Sequence, residues 1–195
     1  IKAEGEWFKS IPPIIKKYTP QLISVGDNDL GHPFYSLEYL PYLPLNEIFV
    51  HGRNSSIFWS RQFGLFNKYF FDSRVAVDSD LTHSINEQII NDAESLYYSK
   101  TYSRLKEFDN FAILEHEVLI NGKKQLVKNI IDECISKTKK LPLIPSILHG
   151  DFCFSNILYD SRSKKIKIID PRGISYNNVM TIYGDQKYDL AKLTH

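Results

Sequence analysis

Little in this chain is available for covalent or metal cross-linking. It has two cysteines, Cys134 and Cys153, with no paired spacing. Neither a disulfide framework nor a zinc site is indicated, and a reducing cytoplasm fits best. His51, His83 and His116 likewise lack metal-ligand spacing. No apolar run approaches the ~20 residues needed to span a bilayer. The opening stretch IKAEGEWFKS has no apolar segment of the signal-peptide kind. Neither sign of charge dominates: 24 Lys and Arg stand against 23 Asp and Glu, a formal net charge of +1. That removes any global electrostatic reason to expect nucleic acid or an acidic membrane. There is no internal repeat, low-complexity tract or linker. There is also no initiator methionine, and the ending DLAKLTH reads as a helix cut in mid-course. The expectation is therefore a piece of a longer protein.

What is present suits one domain, or one and a small piece: 195 residues, of which 43% are hydrophobic. Residues 3–18 carry a helical pattern that Pro12 and Pro13 interrupt. QLISVGDND (21–29) and HPFYSLEYLP (32–41) predict a strand hairpin. LNEIFVHG predicts a short helix closed by Gly52 as C-cap. From Ser55 to about Phe71 the pattern is helical, with Ile57, Phe58, Gln62 and Phe66 on related turns and Phe63 with Phe70 on others. The longest helical candidate is 84–109, where Ser84 and Glu87 match a capping box. Its aromatics, like those of the preceding helix, read first as core. Asn121-Gly122 is a strong turn signal, followed by a helix from about Lys124 to Lys139 with a lysine-rich solvated face. PSILHGD, NILYD and KIKIID are short apolar segments separated by turns. Helices in the middle and short strands at both ends make an α+β pattern.

Two of those apolar segments end on polar residues. ILHGDFCFSNILYD places Asp151 just after a short apolar run and Asn156 five residues later; IKIIDPRG ends a second run on Asp170. Carboxylates and amides converging at strand ends repel one another unless a cation joins them. Asp170 can bridge a hard cation such as Mg²⁺ and phosphate oxygens, and Asn156 can reach the same metal. Asp151 can accept or align the proton of an attacking hydroxyl. These are the parts that phosphoryl transfer needs, because the protein's task there is positioning and charge neutralisation.

The segment from His149 to Asn156, HGDFCFSN, resembles the His-Gly-Asp-x-x-x-x-Asn catalytic loop of the aminoglycoside phosphotransferase and choline kinase family. The chance of such a fixed pattern in a chain this long is on the order of 10⁻³ at average residue frequencies. IID ending at Asp170 resembles the metal-binding aspartate that follows that loop. GDQKYDLAKL (184–193) resembles the next helix, whose aspartate, here Asp189, braces the loop from below. IDPRG, YGD and YDLAKL look most like the bacterial branch found among capsule and lipopolysaccharide biosynthesis genes. More weakly, FYSLEYLPYLPLNEI looks like the last small-lobe strand and hinge. The resemblance implies that backbone groups around Glu38, Tyr39 and Leu40 meet adenine. EGEWFKSIP looks like the helix whose glutamate, best matched by Glu4 with Glu6 nearby, pairs with an ATP-binding lysine. Lys2 is too close to Glu4 to be that lysine, and no glycine-rich loop precedes Glu4.

The resemblance implies a protein-kinase-like fold, with a partial N-lobe over 1–40 and a helical C-lobe over 41–195. It implies ATP and Mg²⁺ as cofactors and a small-molecule hydroxyl as acceptor: a sugar, a choline-like amino alcohol or an aminoglycoside. The branch favours cell-surface polysaccharide biosynthesis in the cytoplasm, without nucleic acid or membrane insertion. His149 reads as a packing and hydrogen-bonding residue. Arg172 reads equally as a contact to acceptor or phosphate and as a salt-bridge partner of Asp185. Cys153 reads as a small filler between Phe152 and Phe154 rather than a nucleophile. A body without the part that covers the phosphates is expected to be inactive or nearly so by itself. Two other readings stay open: a non-catalytic kinase-like binding protein, and a metal-dependent hydrolase using HGD as ligands.

Overall fold

The computed structural model describes residues 1–78, 82–107 and 114–194. The chain opens with helix α1 (Lys2–Ser10), and the Pro12-Pro13 pair ends it and starts the one-turn helix α2 (Pro13–Lys16). Pro13 sits at a helix N-terminal position where its missing N–H is no loss. Strands β1 (Leu22–Asp27) and β2 (Pro33–Leu37) pair antiparallel, as the hairpin pattern predicts. The Asn28 side chain closes their connection by accepting the Leu30 and His32 N–H groups. After the two-residue strand β3 (Leu43–Pro44), helix α3 (Leu45–His51) ends at Gly52. Gly52 is extended at φ −86° rather than left-handed. A glycine is required there for a different reason: a Cβ would lie 2.3 Å from the Ile48 carbonyl oxygen.

Helix α4 (Ser56–Asp78) runs well past the predicted end at Phe71. Its buried positions Gln62, Phe66, the pair Tyr69 and Phe70, Ser73 and Val77 recur every three or four residues, a continuous stripe that no proline interrupts. Ile57, which the sequence groups with Phe58, Gln62 and Phe66, and Phe63, which it groups with Phe70, are exposed. The next helical region is three pieces: α5 (His83–Glu94), a π turn (Ser95–Ser99) and α6 (Lys100–Lys106). Thr82, not Ser84, caps α5, accepting the Ile85 N–H. The last two residues of the predicted helix, 108 and 109, lie outside the described residues. Asn121 and Gly122, both with positive φ, turn β4 (Glu117–Ile120) into β5 (Lys123–Leu126). Strand pairing therefore claims Lys124, and helix α7 starts later than predicted, spanning Val127–Lys140.

The remaining strands hold the functional segments. β6 (Pro145–Ile147) pairs with β9 (Tyr183–Asp185), and β7 (Ile157–Asp160) is the middle strand between β3 and β8 (Lys165–Ile168). Helix α8 (Gln186–Leu193) follows β9 directly. One core joins these pieces: Trp7, Phe8, Ile11 and Ile15 pack with Phe66, Tyr69 and Phe70 and with Ile147, Phe152, Ile157, Ile166 and Ile168. Mixed helix and short antiparallel strands make this an α+β protein. No described helix is long and apolar enough to cross a membrane.

Candidate active site

Immediately after β6 the chain turns through Leu148, His149 and Gly150 to Asp151. Asp189 on α8 lies beneath that turn and accepts the His149 N–H at 2.7 Å with one carboxylate oxygen and the Gly150 N–H at 2.8 Å with the other. Gly150 is left-handed at φ +81°, and a Cβ there would sit 2.6 Å from Arg172 Cβ. Only glycine gives both the turn and the close approach. Burial raises the Asp189 carboxyl to about 7, although the two N–H donors pull the other way. Asp189→Ala leaves two N–H groups without their acceptor inside the protein. The expected loss is about 2–6 kcal/mol, at about 1–3 for each group. This corresponds to an unfolding midpoint lowered by roughly 10 °C in a thermal melt.

His149 is fully buried and uses both ring nitrogens. Its Nε2–H donates to the Ile169 carbonyl at 2.9 Å. Nδ1 is then the bare nitrogen and accepts the Asp151 N–H at 3.3 Å. Asn156, in the short 3₁₀ turn Phe154–Asn156, completes the other side. Its Nδ2 donates to the Asp151 carbonyl and to Asp151 Oδ2, each at 3.0 Å, while the Asn156 backbone carbonyl accepts the Ile169 N–H at 3.0 Å. His149 and Asn156 thus grip the peptide groups of Ile169 from both sides, just before Asp170. Asp170 lies two residues beyond β8 and is left-handed at φ 56°. A non-glycine residue there is strained by roughly 1–3 kcal/mol, and such strain clusters at functional sites.

Burial holds His149 down at about 4, although the Ile169 carbonyl and the nearby Asp151 charge pull the other way. Its folded pKa is below the ordinary 6.5, so its stabilising contribution is present above pH 6.5 and is lost as pH falls toward 4. The size is about 3 kcal/mol at about 1.36 per pKa unit. Asp189 runs oppositely: its folded pKa is raised, so its contribution falls as pH rises from about 4 to about 7. The slopes oppose, so a residue-resolved NMR titration separates them. The His149 ring signals are expected to stay constant from pH 8 to 5.5 and to move near pH 4. A midpoint near 6.5 would contradict the burial argument.

Asp151 and Asp170 open onto one cleft of about 490 Å³, together with Glu4, Arg172, Lys100, Arg104, Tyr188 and Lys192. Lys192 Nζ lies 2.8 Å from Asp151 Oδ1. Burial alone would raise Asp151, but the Lys192 ammonium and the Asn156 amide outweigh it and hold the carboxyl below its ordinary value. Asp170 is shifted the other way, by burial first and then by the negative charges of Glu4 and Asp151. Glu4 accepts the Tyr35 hydroxyl at 2.9 Å. Gly173 ties its helix to the Asp170 loop, since a Cβ at Gly173 would strike the Ala3 carbonyl at 2.1 Å.

The structure therefore brings Glu4, Asp151, Asp170 and Arg172 to one cleft, with Asn156 on its flank and His149 and Asp189 underneath. Glu38 is elsewhere: its N–H and its carboxylate both bond Gln21 of the strand hairpin, and it lines a different groove with Thr19 and Lys167. Tyr39 is exposed and Leu40 half-buried. The salt bridge between Arg172 and Asp185 does not form. Asp185 is taken by Lys187 Nζ at 2.8 Å, the Tyr97 hydroxyl at 2.8 Å and the Ile144 N–H at 3.1 Å. Cys153 meets Ser155 Oγ at 3.1 Å. Among the described residues no three His, Cys, Asp or Glu side chains are grouped to hold a metal. With both His149 nitrogens occupied, the hydrolase reading of HGD loses its ligand. Lys192 was not singled out from sequence, although it stands three residues after Asp189 on the same helix face, a spacing that points to it.

No family model matches the chain, and no curated protein matches it.

Proposed function

We propose that this chain carries the catalytic centre of an ATP- and Mg²⁺-dependent phosphotransferase acting on a hydroxyl of a small molecule, with the protein-kinase-like fold implied by HGDFCFSN and IID. The observation that carries the reading is the clamp in which His149 and Asn156 bind both Asp151 and the Ile169 peptide, fixing two carboxylates on one cleft. The resemblance of IDPRG, YGD and YDLAKL supports a precursor of a cell-surface polysaccharide as acceptor, phosphorylated in the cytoplasm.

Asp170 and the Asn156 amide oxygen are the residues that would hold Mg²⁺. Both are hard oxygen donors, and among the described residues the Asn156 amide oxygen has only a 3.3 Å contact from Ser155 Oγ. Asp170 stands in the negative field of Glu4 and Asp151, which a cation relieves. When bound, the metal would neutralise charge on the β- and γ-phosphates. Asp151 receives the acceptor hydroxyl. The hydroxyl oxygen bonds to the γ-phosphorus, the bond from that phosphorus to the β-bridging oxygen breaks, ADP leaves and the proton passes to Asp151. Lys192 makes Asp151 a weak base, so its main work is to aim the hydroxyl, with the proton moving late. Little base strength is needed when the transition state is loose.

The test is transfer of the labelled γ-phosphate of ATP by the full-length gene product to a panel of sugars and amino alcohols, with Mg²⁺ and with chelator, alongside Mg²⁺-dependent nucleotide binding. Mg²⁺-dependent transfer supports the reading. Nucleotide binding without transfer favours a non-catalytic kinase-like protein. No nucleotide binding under either condition removes both.

A further inference from the structure

The cleft holds more positive than negative side chains: Lys100, Arg104, Arg172 and Lys192 against Glu4, Asp151 and Asp170. Lys192 is matched by Asp151, and Arg104 by Glu107 at 3.1 Å on the exposed side of α6. Lys100 donates to the Tyr188 hydroxyl at 2.8 Å and overlies the Tyr188 ring at 5.2 Å. Among the described residues Arg172 has no carboxylate partner: its N–H bonds the His149 carbonyl, and its guanidinium has no ion pair. The π turn at Ser95–Ser99 leads straight into α6, where Lys100 and Arg104 stand four apart on one face. Lys100 and Arg104 reach the cleft from α6, whereas Glu4 reaches it from α1.

Beside the cleft lies a small cavity of about 40 Å³ that shares Gly150, Arg172, Ile174 and Tyr188 with it. Asp92 lines that cavity, and its Oδ2 is buried without a hydrogen-bond partner. Its other oxygen accepts the Asn177 amide at 2.9 Å. A buried orphan acceptor of this kind suits a hydroxyl donor or a water. Asp151 is matched by Lys192, Glu4 accepts the Tyr35 hydroxyl and Asp170 is assigned to the metal, so a cationic acceptor is left with Asp92, with Lys100, Arg104 and Arg172 against it. An acceptor bearing both hydroxyls and an anionic group meets a partner at each position.

Resting on the phosphotransferase reading above, we infer that the acceptor is a phosphate-bearing sugar or polyol, held through its phosphate by Lys100, Arg104 and Arg172, rather than a cationic amino alcohol or aminoglycoside. The phosphate is the group that several cations at once can serve, and arginine binds it bidentately.

The test is titration calorimetry on the full-length gene product, without nucleotide or metal. The probes are glucose 1-phosphate, glucose 6-phosphate and glycerol 3-phosphate against glucose, glycerol, glucuronate and choline. At least one phosphate is expected to bind tenfold or more tighter than its neutral parent, than glucuronate and than choline, and to weaken as salt rises. Lys100→Gln with Arg104→Gln is expected to reduce that binding about tenfold or more while leaving affinity for Mg²⁺ and a non-hydrolysable ATP analogue unchanged. Saturation with that analogue is expected not to displace the sugar phosphate. Binding of the neutral, carboxylate or cationic probes equal to the phosphates overturns the inference, as do an unchanged double variant and competition with nucleotide. Failure of nucleotide to bind while a sugar phosphate binds would instead remove the phosphotransferase reading, so the two failures are distinguishable.

Discussion

Asp151→Asn in the full-length gene product is expected to lower phosphoryl transfer by roughly 10²–10⁴-fold, the range a positioned acid–base group supplies. Nucleotide affinity is expected to stay within about threefold, because Asp151 serves the acceptor hydroxyl rather than the metal. The substitution nearly preserves shape. Asn156 Nδ2 keeps its bond to the Asp151 backbone carbonyl, so the 3₁₀ turn has a reason to persist. What is lost is the negative charge that faces Lys192 at 2.8 Å and one of two acceptor oxygens, so the single amide oxygen serves either Lys192 or Asn156 Nδ2. Lys192 is then an ammonium without its counter-ion in a cleft that already holds Lys100, Arg104 and Arg172. The measurement is kcat with radiolabelled ATP, accompanied by a thermal melt that excludes unfolding. Turnover within a few-fold of the parent would remove Asp151 from its role.

Asp170→Asn is expected to weaken Mg²⁺-dependent nucleotide binding by roughly 10²-fold or more, on the scale of several kcal/mol that a metal contributes to phosphate charge stabilisation. Asn is the informative replacement because, like Asp, it tolerates the left-handed backbone that Asp170 adopts at φ 56°. Loss of binding then reports the missing charge and not a broken loop. The same change removes a carboxylate whose pKa is raised by burial, Glu4 and Asp151. Repulsion in the metal-free protein is relieved, so its thermal midpoint is expected to rise slightly while function falls. Isothermal titration with Mg²⁺ and a non-hydrolysable ATP analogue, paired with melts in chelator, reads both effects. Unchanged binding, or a lower midpoint with intact binding, would mean that Asp170 is structural.

How much of this could be read in the chain itself follows the range over which each signal acts. Pro12-Pro13 and Asn121-Gly122 constrain their own dihedrals, so their effects are where the sequence puts them. The stripe in α4 was visible, but its end was not, because Val77 is buried only through contacts made elsewhere in the chain. Lys124 looks helical by composition, and pairing of β5 with β4 overrides that preference. Thr82 takes the cap from Ser84 because the incoming backbone is extended at Thr82.

The sequence by itself determined the local chemistry of the loop: Asp151, Gly150, His149 and Asn156 are near neighbours along the chain, and the side-chain bonds among them span five residues or fewer. It also determined the turn that makes Gly150 obligatory and the apolar run that leads to Asp170. Tertiary structure alone decided which distant groups share the cleft. Glu4 reaches Asp170 because Trp7, buried on the same helix, donates its indole N–H to the Leu148 carbonyl 141 residues away at 2.8 Å. Lys192 reaches Asp151 because Asp189, one helical turn earlier, is anchored beneath the loop. Glu38 is turned from the cleft by its bonds to Gln21. A lysine or glutamate on an exposed face carries no local mark of its partner; only packing of the apolar faces on which these side chains stand selects one.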